Sequence, residues 1–208
     1  MNNLTTFYIV RHGQSVANIQ QILAGQLDSP LTQAGVNQAK KLSRDLQQVQ
    51  FDAVFSSDLV RAKRTAEIIT LEKKLAIATT KALRERHYGI YEGKSYTEIN
   101  TALEALHVKH QDLDIEKRHM LGLPSTETIE NANSRLITFL REIAVANPGK
   151  VILIVCHGGL MRYLLIHLGW AAFATLPIHG ISNAGLIVLE SDGVDFFVKE
   201  TKGINVVK

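Results

Sequence analysis

Short apolar runs and amphipathic stretches alternate along this chain. Phe7-Tyr8-Ile9-Val10 is the first run, and its β-branched and aromatic content predicts a short strand buried on both faces. Asp52 to Ser57 predicts a second strand, Lys74 to Thr80 a weaker third, and Val151 to Val155 the strongest. Between them the period changes to that of a helix. Val36, Ala39, Leu42 and Leu46 recur at helical spacing behind Pro30-Leu31-Thr32, with Thr32 as N-cap. A second helix is predicted from Leu59 to about Thr70, capped by Ser57 or Asp58. Ser95-Tyr96-Thr97-Glu98 has the form of a capping box, which starts a helix reaching about Leu106. Leu123 to Thr128 opens a long helix with Ile129, Ala132, Leu136, Phe139, Leu140 and Ile143 on one face, stopped by Asn147-Pro148-Gly149. A further helix follows from Gly159 to Gly169, and Gly185–Glu190 and Val194–Lys199 flank a hairpin turn at Ser191-Asp192-Gly193.

This order predicts an α/β fold: a mostly parallel central sheet, helices on both faces and an antiparallel edge from the C-terminal hairpin. Asn18 to Gly25 and Leu83 to Gly93 lack periodicity and are read as irregular. His107 to Met120 is rich in charge and reads as an exposed excursion, part of a segment at about 95–124 above the sheet.

Composition narrows the class. The 208 residues, 46% of them hydrophobic, fit a single domain over 1–208. The net charge of +3 is small, and no block of like charge forms a nucleic-acid arm. No apolar stretch approaches the roughly 20 residues needed to cross a bilayer, and the N-terminal residues lack the pattern of a secretory signal. A cytoplasmic protein without membrane or nucleic-acid partners is expected, as monomer or homodimer. The lone Cys156 sits in an apolar run and reads as a buried small hydrophobe, since His157 beside it points to the opposite face.

The first and fourth strands both end in histidine followed by glycine: Arg11-His12-Gly13-Gln14-Ser15 and Cys156-His157-Gly158-Gly159. Ligands of open α/β sheets bind beyond the strand carboxyl ends, so two such strands in one sheet could share a crevice. Taken singly, each histidine serves equally well as a core or surface residue. Between them lie Ser56-Ser57-Asp58-Leu59-Val60-Arg61-Ala62-Lys63-Arg64-Thr65-Ala66 and Leu83-Arg84-Glu85-Arg86-His87-Tyr88-Gly89-Ile90-Tyr91-Glu92-Gly93. Together these four segments, in this order, resemble the histidine phosphatase superfamily, also called the phosphoglycerate mutase-like family. Asp28-Ser29-Pro30-Leu31-Thr32 with Gly35 adds a fifth matching element.

Residue chemistry and resemblance lead to the same assignments. Arginine binds a phosphate dianion through a planar fork that never loses its charge, which suits Arg11 and Arg61 as phosphate clamps; Arg64 reads as a solvated charge. His12 is the candidate nucleophile, kept neutral by neighbouring cations, with its other ring nitrogen held by a backbone carbonyl. His157 would donate to phosphoryl oxygens as charge builds. The resemblance implies that Glu85 is the general acid–base, with a bound dianion favouring its acid form; otherwise it pairs with Arg84 or Arg86. The resemblance also implies phosphate or substrate contacts for Gln14, Ser15, Asn18 and Asn183. Arg86, His87 and Tyr88 could meet the rest of the substrate, or serve structure alone. His107, His110, His119, His167 and His179 read as surface or packing residues, and neither a metal site nor a cofactor is expected.

The reading that follows is a metal-independent phosphomonoester hydrolase of the histidine acid phosphatase type, acting through phosphohistidine on a small phosphorylated metabolite. A cofactor-dependent phosphoglycerate mutase uses the same first half-reaction, and a catalytically idle phosphate-binding module is the alternative of another class. Where many family members carry Gly-Gly-Glu-Ser before the long helix, this chain has Ser125-Thr126-Glu127-Thr128. A mutase needs cations for a second phosphate and a lid against water. Here Lys109, Lys117 and Arg118 are cancelled by Asp112, Asp114 and Glu116, and Glu200 to Lys208 is a short tail.

Overall fold

The computed structural model describes residues 4–207 except Glu72. The side chains of Glu116 and His119, named above, lie outside the described residues. Thirteen named elements carry the fold: β1 (Thr5–Arg11), α1 (Val16–Ile19), α2 (Gln33–Asp45), β2 (Ala53–Ser57), α3 (Val60–Thr70), β3 (Ile77–Thr80), α4 (Tyr96–Lys109), α5 (Ile115–Met120), α6 (Ile129–Ala146), β4 (Val151–Cys156), α7 (Gly158–His167), β5 (Ile181–Ser191) and β6 (Phe196–Ile204). The six strands form one sheet in the order β3-β2-β4-β1-β5-β6. β3, β2, β4 and β1 run parallel, and β5 and β6 continue antiparallel. The predicted mixed α/β sheet is therefore present, its antiparallel edge beginning at the β1–β5 pairing.

Alternation along the central strands divides the core. Ile152, Ile154 and Cys156 of β4, with Phe7 and Ile9 of β1, pack against α6 and α7 through Leu136, Leu140, Leu160 and Leu164. Leu153 and Val155, with Val10 and Val54, pack on the other face against Leu42 of α2 and Ala62, Ala66 and Ile69 of α3. Both faces of β1 and β4 are thus covered, as a continuous apolar run requires. After β1 the chain leaves to α2 on one face, and after β4 it leaves to α7 on the other. The crevice between these two strand ends is the switch point where ligands of such sheets bind.

Several local details differ from the sequence reading. The stretch read as irregular from Asn18 begins inside a turn of helix, Val16–Ile19, which is held by the Ser15 N–H donating to Asn18 Oδ1 at 3.0 Å and the Asn18 N–H to Ser15 O at 3.1 Å. Neither Ser57 nor Asp58 is the N-cap of α3; Leu59 is, and the Val60 N–H donates to Asp28 Oδ1 at 3.0 Å from a distant loop. Leu83 to Gly93 includes a 3₁₀ turn at Gly89–Tyr91. α4 runs past Leu106 to Lys109 and α5 follows, so the excursion is largely helical. Phe139 and Ile143 sit at the margin of the α6 face, where Ile137 and Ala144 are the buried residues. The hairpin strands are longer than predicted. Asp192 Oδ1 accepts from the N–H groups of Val194 and Asp195, so β6 starts only at Phe196 and takes up most of the supposed tail.

One close backbone approach holds the loop after β1. The Gly13 and Gly35 backbones meet so tightly that a Cβ on Gly13 would lie 2.5 Å from Gly35 O, and one on Gly35 would collide with Gln14 O. Both obstacles are backbone atoms, which cannot swing aside. Gly35→Ala should therefore cost about 1–3 kcal/mol, the range for overpacking, or roughly 2–4 °C of melting temperature per kcal/mol at this chain size. Thermal unfolding by circular dichroism measures this, and an unchanged melting temperature would refute the clash.

Candidate active site

His12 follows β1 directly, and its backbone is fixed from both sides. Its N–H donates to Cys156 O at 3.0 Å, extending the β1–β4 ladder, while its carbonyl accepts from Ala184 N at 3.3 Å and Asn183 Nδ2 at 3.2 Å. The ring is buried. Its Nδ1 lies 2.7 Å from Gly13 O, so Nδ1 carries the proton and Nε2 keeps its lone pair. Arg61 Nε donates to that Nε2 at 3.3 Å. Burial is the main influence holding His12 well below its ordinary value, with Arg61 and Arg11 adding to it. The sequence reading named the cations alone; desolvation of the ring outweighs them.

His157 caps the start of α7, its ring centroid 5.2 Å from that of His12. Its Nε2 is 2.9 Å from Ser57 Oγ at the end of β2, and its Nδ1 is buried without a hydrogen-bond partner. Burial, then Arg61, holds it too well below the ordinary value. Cys156 faces the core, and burial pushes its thiol up to about 12, which makes it inert as a nucleophile.

Arg61 is 2% exposed in the first turn of α3. Its terminal nitrogens donate to Leu27 O at 2.8 Å and Gly25 O at 2.7 Å. With Nε on His12, three of its five N–H donors are committed and two are left to meet a ligand. Arg11 donates through Nη1 to Ile181 O, while its buried Nε has no partner. Burial lowers both guanidinium values and Glu85 opposes this, but arginine stays charged.

Glu85 is held by backbone alone: Arg86 N donates to Oε1 at 2.8 Å and Gly159 N to Oε2 at 2.9 Å. The second donor belongs to the first turn of α7, where a carboxylate is favoured. A Cβ on Gly159 would lie 2.5 Å from Oε1, so glycine there permits the contact. Neither flanking arginine pairs with Glu85. Arg84 grips Asp58 through two 2.7 Å bonds, and Arg86 donates to Glu127 O at 2.5 Å and Thr126 Oγ1 at 3.0 Å. Glu127 itself is paired with Arg135.

A cavity of about 690 Å³ opens over these groups. Arg11, His12, Arg61 and Glu85 line it, as do Ser15, Asn18, Arg86 and Tyr88. Four sequence-predicted site residues do not. His157 is fully buried and does not reach the cavity surface. Gln14 is turned away, its backbone N–H on Gln38 and its side chain accepting from Thr32 Oγ1. His87 is exposed, with its N–H on Glu127. Asn183 braces the His12 carbonyl and Asn18 from behind. Conversely, His107 and His179, read as surface or packing residues, line the cavity, His179 in an edge-on contact with Tyr96. Tyr96, Tyr163, Gly159 and Ser57 escaped the sequence reading. Of these only Gly159 carried a signal, as the second glycine after His157. Among the described residues, no group of three or more His, Cys, Asp and Glu is gathered for a metal, and no helix is long and apolar enough to cross a membrane.

Paired histidines and buried arginines at neighbouring strand ends of such a sheet define a phosphoglycerate mutase-like enzyme. The chain belongs to the histidine phosphatase superfamily (branch 1), whose sequence pattern matches residues 7–202. It is 34% identical over 163 residues to the uncharacterized phosphatase PhoE of Bacillus subtilis, covering 78% of this chain and 76% of that one. It is 33% identical over 179 residues to a 2,3-bisphosphoglycerate-dependent phosphoglycerate mutase of Methylocella silvestris, covering 81% and 84%. A crystal structure of phosphoglycerate mutase from Bacillus anthracis superposes with a TM-score of 0.84 at 26% identity, over 98% of this chain and 94% of that one.

The buried histidines make stability depend on pH. Both hold folded-state values below their ordinary 6.5, so the unfolded chain binds the extra protons. Stability is then full above the unfolded value and falls as pH drops through it. The urea midpoint should be lower at about pH 5.5 than at about pH 7.5, and His12→Asn should shrink that difference. A midpoint that is flat or rises towards acid would contradict the neutral assignment.

Proposed function

We propose that this chain is a metal-independent phosphomonoester hydrolase acting through a phosphohistidine at His12. The observation that carries the reading is the unprotonated Nε2 of a neutral His12, held by the Arg61 Nε–H and sharing a cavity with Glu85, a carboxylate in no ion pair among the described residues. Arg11 Nε and the free donors of Arg61 bind the phosphoryl oxygens. With the Ser57 hydroxyl donating to His157 Nε2, His157 Nδ1 carries a proton for the same oxygens. Two buried donors without partners, Arg11 Nε and His157 Nδ1, support this role, since each is costly to leave unmet.

In the first half-reaction the Nε2 lone pair forms the bond to phosphorus as the bond to the leaving oxygen breaks, and Glu85 gives that oxygen its proton. In the second, water attacks phosphorus, its proton passes to Glu85, and the N–P bond breaks to regenerate neutral His12. Alcohol and inorganic phosphate are the products. The cations replace a divalent ion in holding the dianion. Hydrolysis is favoured over mutase chemistry because, of residues 95–124, no described lysine or arginine lines the cavity, and Lys117 is paired with Asp114 at 3.0 Å. A second phosphate therefore gains no cation from that segment.

Brief exposure to a labelled phosphomonoester in EDTA should leave acid-labile, base-stable label on the protein, and His12→Ala should abolish it. Label that persists in the variant, or that needs a divalent ion, would reject the mechanism. Glu85→Gln should lower turnover of a poor leaving group by about 10²–10⁴-fold, and much less for an activated aryl phosphate, whose oxygen needs no proton. Equal losses on both would make Glu85 a positioning residue.

A further inference from the structure

Two backbone N–H groups fix the Glu85 carboxylate, and a side chain outside the cavity fixes the loop that carries it. Arg135, on α6, donates through Nη1 to Ala82 O at 2.7 Å and through Nη2 to Glu85 O at 3.1 Å. The other edge of the same guanidinium grips Glu127, Nε on Oε1 at 2.7 Å and Nη2 on Oε2 at 3.1 Å. This is the two-pronged geometry that makes an arginine–carboxylate pair strong and directional.

Glu127 carries the hold to the other side of Glu85. Its Oε2 accepts from His87 N at 3.0 Å, its own N–H donates to His87 O at 2.8 Å, and its carbonyl accepts from Arg86 Nε. Residues 82, 85, 86 and 87 are thus all tied to Arg135 or Glu127, and Gln26 Nε2 adds a second donor to Glu85 O at 3.1 Å. Burial pushes the Glu127 carboxyl up, but Arg135 and the His87 N–H together outweigh it and hold it below its ordinary value. Neither Arg135 nor Glu127 lines the cavity. Arg135 meets Glu85 at its main-chain carbonyl, while its charge is met by Glu127.

Resting on the hydrolase reading, we propose that Arg135 is a positioning residue for proton transfer at Glu85. With Glu127 it sets the backbone of residues 82–87, and through that backbone the reach of the Glu85 carboxylate to the Gly159 N–H and to the leaving oxygen. Lysine would keep the charge, but a single point donor cannot span two carbonyls and a carboxylate.

The test compares an alkyl phosphate, whose leaving oxygen needs a proton, with 4-nitrophenyl phosphate, whose oxygen does not. The quantity read is kcat/KM, which reports the phosphorylation step. Arg135→Met and Arg135→Lys should each lower it for the alkyl ester by roughly 10–100-fold, the scale of a 1 Å misplacement, and spare the aryl ester. In a Glu85→Gln background, Arg135→Met should cost little more, since a residue acting through Glu85 then has nothing to act on. Partial unfolding lowers both substrates alike and cannot give this split. Equal losses on both esters, losses that add to those of Glu85→Gln, or full alkyl phosphate turnover with lysine would overturn the proposal.

A second measurement needs no turnover. Gly159 lies in the first turn of α7, where an N–H has no acceptor within the helix, and Glu85 Oε2 is its partner at 2.9 Å. By NMR, Arg135→Met should speed hydrogen exchange of the Gly159 amide relative to that of Ile154 in β4. An unaltered ratio would overturn the proposal whatever the turnover shows. If neither ester turns over, or if Glu85→Gln loses equally on both, the hydrolase reading fails, and the exchange ratio alone decides whether Arg135 positions Glu85.

Discussion

The parallel pairing of β1 with β4 is the constraint on which the site depends. Its register sets Arg11 opposite Cys156, and the His12 N–H adds one more rung to Cys156 O. Two histidines thereby leave neighbouring strand ends with their rings 5.2 Å apart. A slip of one residue would turn every side chain of β1 to the opposite face. Phe7 and Ile9 would lose α6 and α7, and Val10 would lose α2 and α3, so the division of the core and the meeting of the histidines are enforced together. The chain then departs to opposite faces from the two strand ends, which opens the crevice lined by Arg11, His12, Arg61 and Glu85.

Burial does the second part of the work. Charge beneath a protein surface is costly unless paired or hydrogen-bonded. Arg61 meets this with two backbone carbonyls and the ring nitrogen of His12. The same burial removes the proton from His12 and aims its lone pair towards a cation. The loop carrying Glu85 is fixed by the arginines on either side of it, each spent on a different partner, Asp58 for Arg84 and the Thr126–Glu127 turn for Arg86. Their charges serve architecture, which leaves the carboxylate between them on backbone N–H groups alone.

Residues 95–124 supply part of the cavity wall. The reciprocal Ser95–Glu98 cap starts α4 beside the cavity, and the face that α4 turns inwards carries Tyr96, Ile99 and Leu103 with Glu104 and His107.

Local chemistry determined much of this by sequence alone. Apolar runs marked β1 and β4, because a strand covered on both faces leaves no position free for polarity. Thr32, Ser95 and the Asn147-Pro148-Gly149 stop marked helix ends, because caps and turns act within a few residues. Arg11, His12, Arg61, Glu85 and His157 were legible because each sits in a short segment whose residue types suit an anionic substrate and resemble a known family. What the sequence could not decide were contacts between distant segments. Asp28 capping α3, Ser57 meeting His157, Gly159 receiving Glu85, and Gln14 and His87 turning away from the cavity are fixed by how helices and loops dock. His107 and His179 line the cavity because α4 and residues 173–179 pack over the sheet end, and no spacing along the chain encodes that meeting. The protonation of His12 belongs to the same class, since depth of burial, which no single segment carries, outweighs the charges that its neighbours supply.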